Sequence, residues 1–232
     1  MSLIEEIQSA AIDGTSDLAT LLRKCRLLAA RLGSQPLEDW LLWELNGYPD
    51  GVEVPDYRIW PLELKGQFFG PLGSSMANVP IPLACIPVKA RDHYQNYKSR
   101  QSVASIEEML RQSEGGTLFV STSDLAVTLG TKVYSGYNCI RAWAEFSIGH
   151  AIELLNAVRN RILEFTIAVW KEAPMAGEQP EASDKKIQPE RVTQIFNNIV
   201  LLGAAINSPI QQGGAHADMI QTAKDVMKKR YC

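Results

Sequence analysis

DLATLLRKCRLLAARLGSQPLEDWLLWELNGY, residues 17–48, is the stretch whose pattern most directly predicts the fold. In its first half the apolar residues recur at steps of three and one, which places them on one face of a helix over 17–32. Gly33 is a natural end for this helix, and Pro36 suits the first position of the next. We predict a helical hairpin whose first helix buries Leu18, Leu21, Leu22, Cys25, Leu28, Ala29 and Leu32.

The second helix is apolar on two sides. One side carries Leu37, Trp40, Leu41 and Leu45, and the other carries Leu42 and Trp43. A helix of this kind is packed on both sides or presents a surface to a partner. Trp40 and Trp43 are therefore candidate partner-surface residues, since tryptophan is a frequent interface anchor. The alternative is that both tryptophans lie in the core.

After the hairpin, the pattern changes to that of short strands. Residues 57–69 predict two strands with Pro61 between them, and the proline-rich stretch 81–88 predicts an extended segment. Residues 105–112 predict a short helix and 117–121 another strand.

The longest helix is predicted for about 137–171, with a heptad-like apolar seam. The seam consists of Ile148, Ala151, Leu155, Val158, Ile162, Phe165 and Val169. Residues 173–188 are polar and carry prolines without apolar periodicity, so they predict a linker between a domain over 1–172 and a C-terminal module over 189–232. The expected fold is α+β and helix-dominated: an N-terminal helical hairpin, a small sheet, a long helix and a small C-terminal β/α oligomerisation module.

The segment from Val192 to Gly214 is apolar, yet rich in Asn and Gln. It is too short for a core of its own, so we expect short β-structure that pairs with other copies of the chain. The candidate self-association residues are Ile195, Phe196, Ile206 and Ile210. The alternative is that the segment docks on the main domain of its own chain.

The composition supports few kinds of chemistry. The net charge of −3 gives no support for binding nucleic acid through the bulk field. One basic and aromatic stretch is a candidate nucleic-acid patch, formed by Lys89, Arg91, Tyr94, Tyr97, Lys98 and Arg100. The alternative for this stretch is a solvated connector.

Metal and cofactor motifs are missing from the sequence. The four cysteines are scattered, and His93, His150 and His216 have no ligand spacing. We therefore predict no metal, no cofactor and no catalytic residues of a recognisable type. The scattered cysteines favour a reduced, cytoplasmic protein, and neither a signal peptide nor a membrane span is expected.

A metal-dependent nuclease would need convergent carboxylates, often assisted by a lysine. Glu63 and Lys65 are two residues apart on a predicted strand and would share a face, while Asp56 could supply a second carboxylate. The alternative is the ordinary alternation of a solvated strand face.

Residues 17–58 resemble the AbiTii family, which is associated with bacterial abortive infection and conflict with phages. The resemblance is carried in order by LLRK at 21–24, ARLG at 30–33, ELNGY at 44–48 and PDYR at 55–58. It extends over most of residues 1–170 and implies a role in phage defence, but it supplies no catalytic residues.

Three functions are compatible with this resemblance and with the residues. We expect a non-enzymatic sensor, regulator or assembly module of a defence system, which forms a homo-oligomer and binds other defence proteins or a phage component. One alternative is a toxin enzyme, most plausibly a metal-dependent nuclease. The other is a scaffold with no defence role.

Overall fold

The computed structural model of the chain describes residues 2–14, 16–113, 115–177 and 187–201. The fold is α+β and helix-dominated, as the sequence predicts. The helices are α1 (Leu3–Ile12), α2 (Leu18–Leu32), α3 (Gln35–Asn46), α4 (Val88–Gln95), α5 (Val103–Gln112), α6 (Ser123–Leu129), α7 (Ile148–Glu172) and α8 (Pro189–Phe196). The strands are β1 (Ile59–Pro61), β2 (Glu63–Phe69), β3 (Ser75–Pro80), β4 (Asn96–Lys98), β5 (Thr117–Ser121) and β6 (Asn138–Ser147).

The predicted helical hairpin is confirmed in α2 and α3. Asp17 caps α2 by accepting a hydrogen bond from the Thr20 amide at 2.9 Å, and Gly33 ends the helix in the left-handed conformation with φ of 70°. The apolar face of α2 is buried as predicted, with Leu21, Leu22, Leu28 and Leu32 at most 5% exposed. An additional helix that the sequence analysis did not predict, α1, begins at a capping box of Ser2 and Glu5 and packs on α7.

The strands form two antiparallel sheets. The larger has four strands in the order β3-β2-β6-β5, and the smaller pairs β1 with β4. Alternate residues of β6 point into the core, where Cys139, Ala142, Ala144 and Phe146 are buried. The other face of the larger sheet, here called the outer face, carries Glu63, Lys65, Gln67, Phe119, Arg141, Trp143 and Glu145.

The predicted start of the long helix is wrong. Helix α7 begins at Ile148, and residues 138–147 are instead the central strand β6. The Ser147 hydroxyl accepts a hydrogen bond from the Gly149 amide at 3.1 Å and marks the change from strand to helix. The apolar seam itself is largely correct, since Ala151, Val158, Ile162, Phe165 and Val169 are all buried, whereas Ile148 and Leu155 are half-buried.

The β-structure predicted for Val192–Gly214 is wrong over the residues that the structure describes. Residues 192–196 belong to α8, and Asn197–Leu201 form a turn of π-helix. Val192, Ile195, Phe196 and Val200 recur at helical spacing, and all are buried against the main core. Because Ile195 and Phe196 are in this core, they are not available for self-association in this conformation. Ile206 and Ile210 lie outside the described residues.

Helix α8 is held to the rest of the chain by specific contacts. The Phe196 ring lies 5.9 Å from the Trp40 ring, and the hydroxyls of Ser34 and Thr193 are 2.9 Å apart. Arg161 Nε of α7 donates to the Val200 carbonyl at 3.2 Å. The division into domain, linker and C-terminal module stays a prediction, since residues 178–186 and 202–232 lie outside the described part.

None of the helices within the described ranges combines the length and the apolar character that crossing a membrane requires.

Replacing Leu28 by alanine tests the importance of the α2 face. Leu28 is 1% exposed, so Leu28→Ala should lower the free energy of unfolding by about 2–5 kcal/mol in chemical denaturation. The neighbouring Leu27 is 49% exposed and provides the matched control, because Leu27→Ala should change stability by about 0.5 kcal/mol or less. Equal effects of the two substitutions would contradict the packing described here.

Candidate functional site

The family-like motifs ELNGY and PDYR come together in a buried polar network. Glu44 lies near the end of α3, and Arg58 ends a short 3-10 helix over Asp56–Arg58. Both side chains are 0% exposed. The Glu44 carboxylate accepts hydrogen bonds from Arg58 Nε at 3.2 Å and from Arg58 Nη2. This is a two-pronged ion pair of the kind that the planar guanidinium favours.

Two tyrosines complete the shell around Glu44. The hydroxyls of Tyr48 and Tyr57 donate to Glu44 Oε1 at 2.7 and 2.6 Å. Trp40 Nε1 in turn donates to the Tyr57 hydroxyl at 3.0 Å. The guanidinium of Arg58 lies 4.8 Å from the centre of the Tyr48 ring, so the ring face also contacts the cation.

The network also joins distant parts of the chain. Arg58 Nη1 donates to the carbonyls of Ser99 and Gln101 at 3.1 and 2.8 Å. The guanidinium of Arg161 from α7 lies 4.3 Å over the Tyr57 ring. Helix α3, the 3-10 helix, the segment after β4 and helix α7 are therefore linked through one cluster of side chains.

The surroundings of the network favour the charged form of the Glu44–Arg58 pair and the neutral form of the Tyr48 and Tyr57 hydroxyls. Burial raises the pKa of Tyr48 and of Tyr57 far above the ordinary value, and the nearby Glu44 charge raises both further. Burial alone would lower the pKa of Arg58, but the Glu44 carboxylate outweighs burial and the pKa is raised. The network is thus internally satisfied, with each charge opposed by its partner. Its geometry suits holding structural elements together.

The outer face of the larger sheet is the second polar feature. The register places Glu63 opposite Glu145, Lys65 opposite Trp143, and Gln67 opposite Arg141. Lys65 Nζ lies 2.6 Å from Glu145 Oε2, and Trp143 Nε1 donates to Glu145 Oε1 at 2.7 Å. Glu63 is the more solvated carboxylate, with a side chain 79% exposed and 4.0 Å from Lys65.

The pKa values of the Lys65–Glu145 pair follow from this contact. Burial would raise the pKa of Glu145, but hydrogen bonds from Lys65 and Trp143 outweigh burial and lower it. The hydrogen bond to Glu145 raises the pKa of Lys65. Both groups are therefore held in their charged forms.

The structure groups only part of the predicted nuclease set. Glu63 and Lys65 do share a face, whereas Asp56 lies on the separate 3-10 helix. Glu145 joins them from β6, 80 residues further along the chain than Lys65. Glu145 falls within the helix predicted for 137–171, so its place on a strand beside Lys65 does not follow from the sequence pattern. Among the described residues, no group of three or more His, Cys, Asp or Glu side chains is arranged to hold a metal ion.

The six residues of the predicted nucleic-acid patch are spread over α4, β4 and the segment that follows. Lys89 and Lys98 are exposed. Arg91 donates to the carbonyls of Ile86 and Ala84, and Arg100 donates to the Pro49 carbonyl at 2.6 Å.

The aromatic members of that patch are half-buried. Tyr97 stacks on Phe146 with ring centres 5.2 Å apart, and the Tyr94 ring lies 5.0 Å from His93. Four of the six side chains thus contact other parts of the fold, and a nucleic-acid role for the stretch stays a prediction.

The two predicted partner-surface tryptophans have different environments. Trp40 is 3% exposed and belongs to the core, whereas Trp43 is partly exposed and packs on Tyr48 at 5.7 Å between ring centres. A partner surface on α3 stays a prediction that rests on Trp43.

The comparisons with known proteins agree with the motifs. The AbiTii family model matches residues 2–195, a range that contains the whole buried network and most of α8. No curated protein and no solved structure matches the chain.

Breaking the buried ion pair should be costly. Glu44→Gln and Arg58→Met each leave one buried charge without its partner, so each should lower the free energy of unfolding by about 3–5 kcal/mol. The double variant should lose less than the sum of the two, because no uncompensated charge remains. Denaturation of all three variants measures this coupling.

A solvent-exposed pair serves as the control for that experiment. Glu108 and Arg111 lie 2.8 Å apart with side chains 46% and 70% exposed, and Glu108→Gln should cost about 1 kcal/mol or less. If the Glu44 and Arg58 variants behave like this surface pair, the network is solvated and the account of it is wrong.

The raised pKa values of Tyr48 and Tyr57 predict alkaline destabilisation. Below the ordinary tyrosine pKa of about 10, both states keep these protons, but above it only the unfolded state releases them. The free energy of unfolding should therefore fall as the pH rises above about 10. Tyrosinate absorbance, followed together with circular dichroism, should show these two phenols ionising only as the chain unfolds.

Tyr48→Phe provides the reference for assigning that signal. In this variant, one fewer tyrosine should ionise when the chain unfolds. The number of exposed tyrosines that ionise at lower pH should stay the same. Loss of an early step in this variant would show that Tyr48 is accessible to solvent in the folded chain.

Proposed function

The chain belongs to the AbiTii family of bacterial abortive-infection proteins, and we propose that it acts in phage defence as a non-enzymatic sensor, regulator or assembly module. Its proposed partners are further copies of itself, other proteins of the defence system or a phage component. The proposed location is the cytoplasm.

The observation that carries this proposal is where the motif residues lie. Glu44 of ELNGY and Arg58 of PDYR are both 0% exposed and pair with each other, whereas Asp56 of PDYR is exposed. A catalytic group must reach a substrate, whereas the contacts of these groups in the described part of the chain are with each other, with Tyr48 and Tyr57, and with backbone carbonyls. Their arrangement supports a role in shaping the domain.

The surface supports a role in binding other macromolecules. Phe119 is 67% exposed and Ile140 is 44% exposed near the outer face of the sheet, and Leu72 at the tip of the β2–β3 hairpin is fully exposed. Large apolar side chains exposed on one protein support contacts with another.

A second candidate function is a metal-dependent nuclease. The observation in its favour is the cross-strand pair of Glu63 and Glu145 with Lys65 beside them. The close pairing of Lys65 with Glu145 weighs against it, since that pair already neutralises one carboxylate. Cleavage of DNA or RNA by pure protein with Mg²⁺ or Mn²⁺, lost in Glu63→Ala, would select this candidate.

Phage infection of a strain that carries the complete locus tests the defence role. Deleting this chain should raise the efficiency of plating, and restoring it should lower the efficiency again. Glu63→Asp keeps the charge but shortens the reach of the carboxylate, so a protein with no catalytic Glu63 should still protect. Unchanged plating on deletion would contradict a defence role, and loss of protection in Glu63→Asp would favour the nuclease.

A further inference from the structure

Within the described part of the chain, the helices that pack on the larger sheet do not cover its outer face. Helix α6 contacts β6 through the opposite face, where Leu125, Ala126 and Leu129 meet the buried side chains of β6. On the outer face, Phe119 is 67% exposed, the Glu63 side chain is 79% exposed, and Arg141 is exposed. A sheet face of this kind with apolar and charged side chains is suited to a macromolecular contact.

We propose that this face binds the same face of a second copy of the chain. In the proposed dimer the two sheets stack face to face with their strands antiparallel. The two-fold axis lies in the plane of the interface and runs perpendicular to the strands. It passes through the cross-strand pair of Lys65 and Trp143, here called the axial row. This inference does not depend on the defence role, and it assigns the contact to the sheet instead of the C-terminal segment.

The charges of the outer face are self-complementary about this axis. Glu63 lies two residues to one side of the axial row, and Arg141 lies two residues to the other side on the neighbouring strand. Within one copy they are about 13 Å apart along the strand direction, too far to pair. The two-fold rotation places Glu63 of each copy across from Gln67 of the other, and Glu145 across from Arg141. Arg141 of each copy therefore lies between two carboxylates of the other copy, with Glu145 directly opposite and Glu63 diagonally beside it.

The apolar groups fit the same arrangement. The two copies of Trp143 meet at the axis, since Trp143 lies on the axial row. Phe119, which pairs with Glu145 in register, is carried towards Ile140 of the other copy. The two Lys65 side chains also approach at the axis, and each is already paired with Glu145 of its own chain at 2.6 Å.

The size of the face lies at the lower limit for a specific contact between proteins. The central strands β2 and β6 have seven and ten residues, in a sheet of four strands. At about 4.8 Å between strands and 3.3 Å per residue, the face covers roughly 500 Å² in projection. Two such faces bury roughly 1,000 Å² in total, which is the lower limit for a specific interface.

The charge balance also favours a second copy over nucleic acid. The face carries two acidic residues, Glu63 and Glu145, and two basic residues, Lys65 and Arg141. Nucleic acid would require an excess of cations, since each phosphate contact needs one. A face with equal numbers of both charges at separated positions is instead complementary to its own rotated copy.

Charge reversal on the full-length chain tests the proposed dimer. Sedimentation equilibrium should give a mass of twice the 25.7 kDa subunit for the unchanged protein. Arg141→Glu removes the cation that lies between two carboxylates of the other copy, and Glu63→Arg places a second cation beside Arg141 of the other copy, so each should weaken the dimer by about 100-fold or more in Kd. The double variant should bind at least about tenfold more tightly than Arg141→Glu alone, because the two substituted positions again carry opposite charges while Glu145 still opposes position 141.

A matched control and the opposing outcomes complete the test. Arg26 is exposed on α2, away from the sheet, and Arg26→Glu should leave the dimer unchanged. A monomeric unchanged protein, single reversals without effect, or no recovery in the double variant would each overturn the proposal. A dimer that resists both reversals but is lost when the chain is ended after Leu201 would place the contact in residues 202–232.

Discussion

The buried ion pair between Glu44 and Arg58 is the constraint on which the arrangement of the helices and the sheet depends. Removing two charges from water is expensive, and only a close partner with further hydrogen bonds offsets that cost. Glu44 therefore needs Arg58, Tyr48 and Tyr57 in place together. Arg58 in turn needs the carbonyls of Ser99 and Gln101. Each group fixes the position of the next.

This dependence explains how short motifs can hold a larger fold together. Glu44 is on the helical hairpin, while Arg58 leads directly into β1, which pairs with β4. Arg161 brings α7 onto Tyr57, and through Val200 it also contacts the end of the described chain. Glu44 and Arg58 both lie in the interior, with side chains 0% exposed. The surface, and above all the outer face of the sheet, is where contact with other molecules has to be sought.

Local patterns predicted local structure well, and they missed contacts between distant segments. The helical spacing of Leu21, Leu28 and Leu32 predicts the buried face of α2, because these residues share one face within a single helix. Strand β6 was missed because its small core residues Ala142 and Ala144 run without a break into α7, and both suit a helix. The position of Glu145 on that strand was therefore not predicted either.

The pairing of Glu44 with Arg58 depends on a turn and a 3-10 helix, and no periodicity in the sequence predicts it. In α8, the helical spacing of Val192, Ile195 and Phe196 determines the structure, although the Asn-rich and Gln-rich composition favours strands.

Hydrogen exchange at the Arg58 side chain tests the central claim, that the motif residues form a closed structural network, most directly. Arg58 Nε–H donates to Glu44 inside the core, and its nitrogen gives a separate signal in ¹⁵N NMR. If the network is closed, this proton exchanges only when the whole chain unfolds, with the same free energy of opening as the most protected backbone amides of α2 and α7. Exchange at the rate of exposed arginines such as Arg26 would show that the network opens to solvent, and would contradict the structural role assigned to the motif.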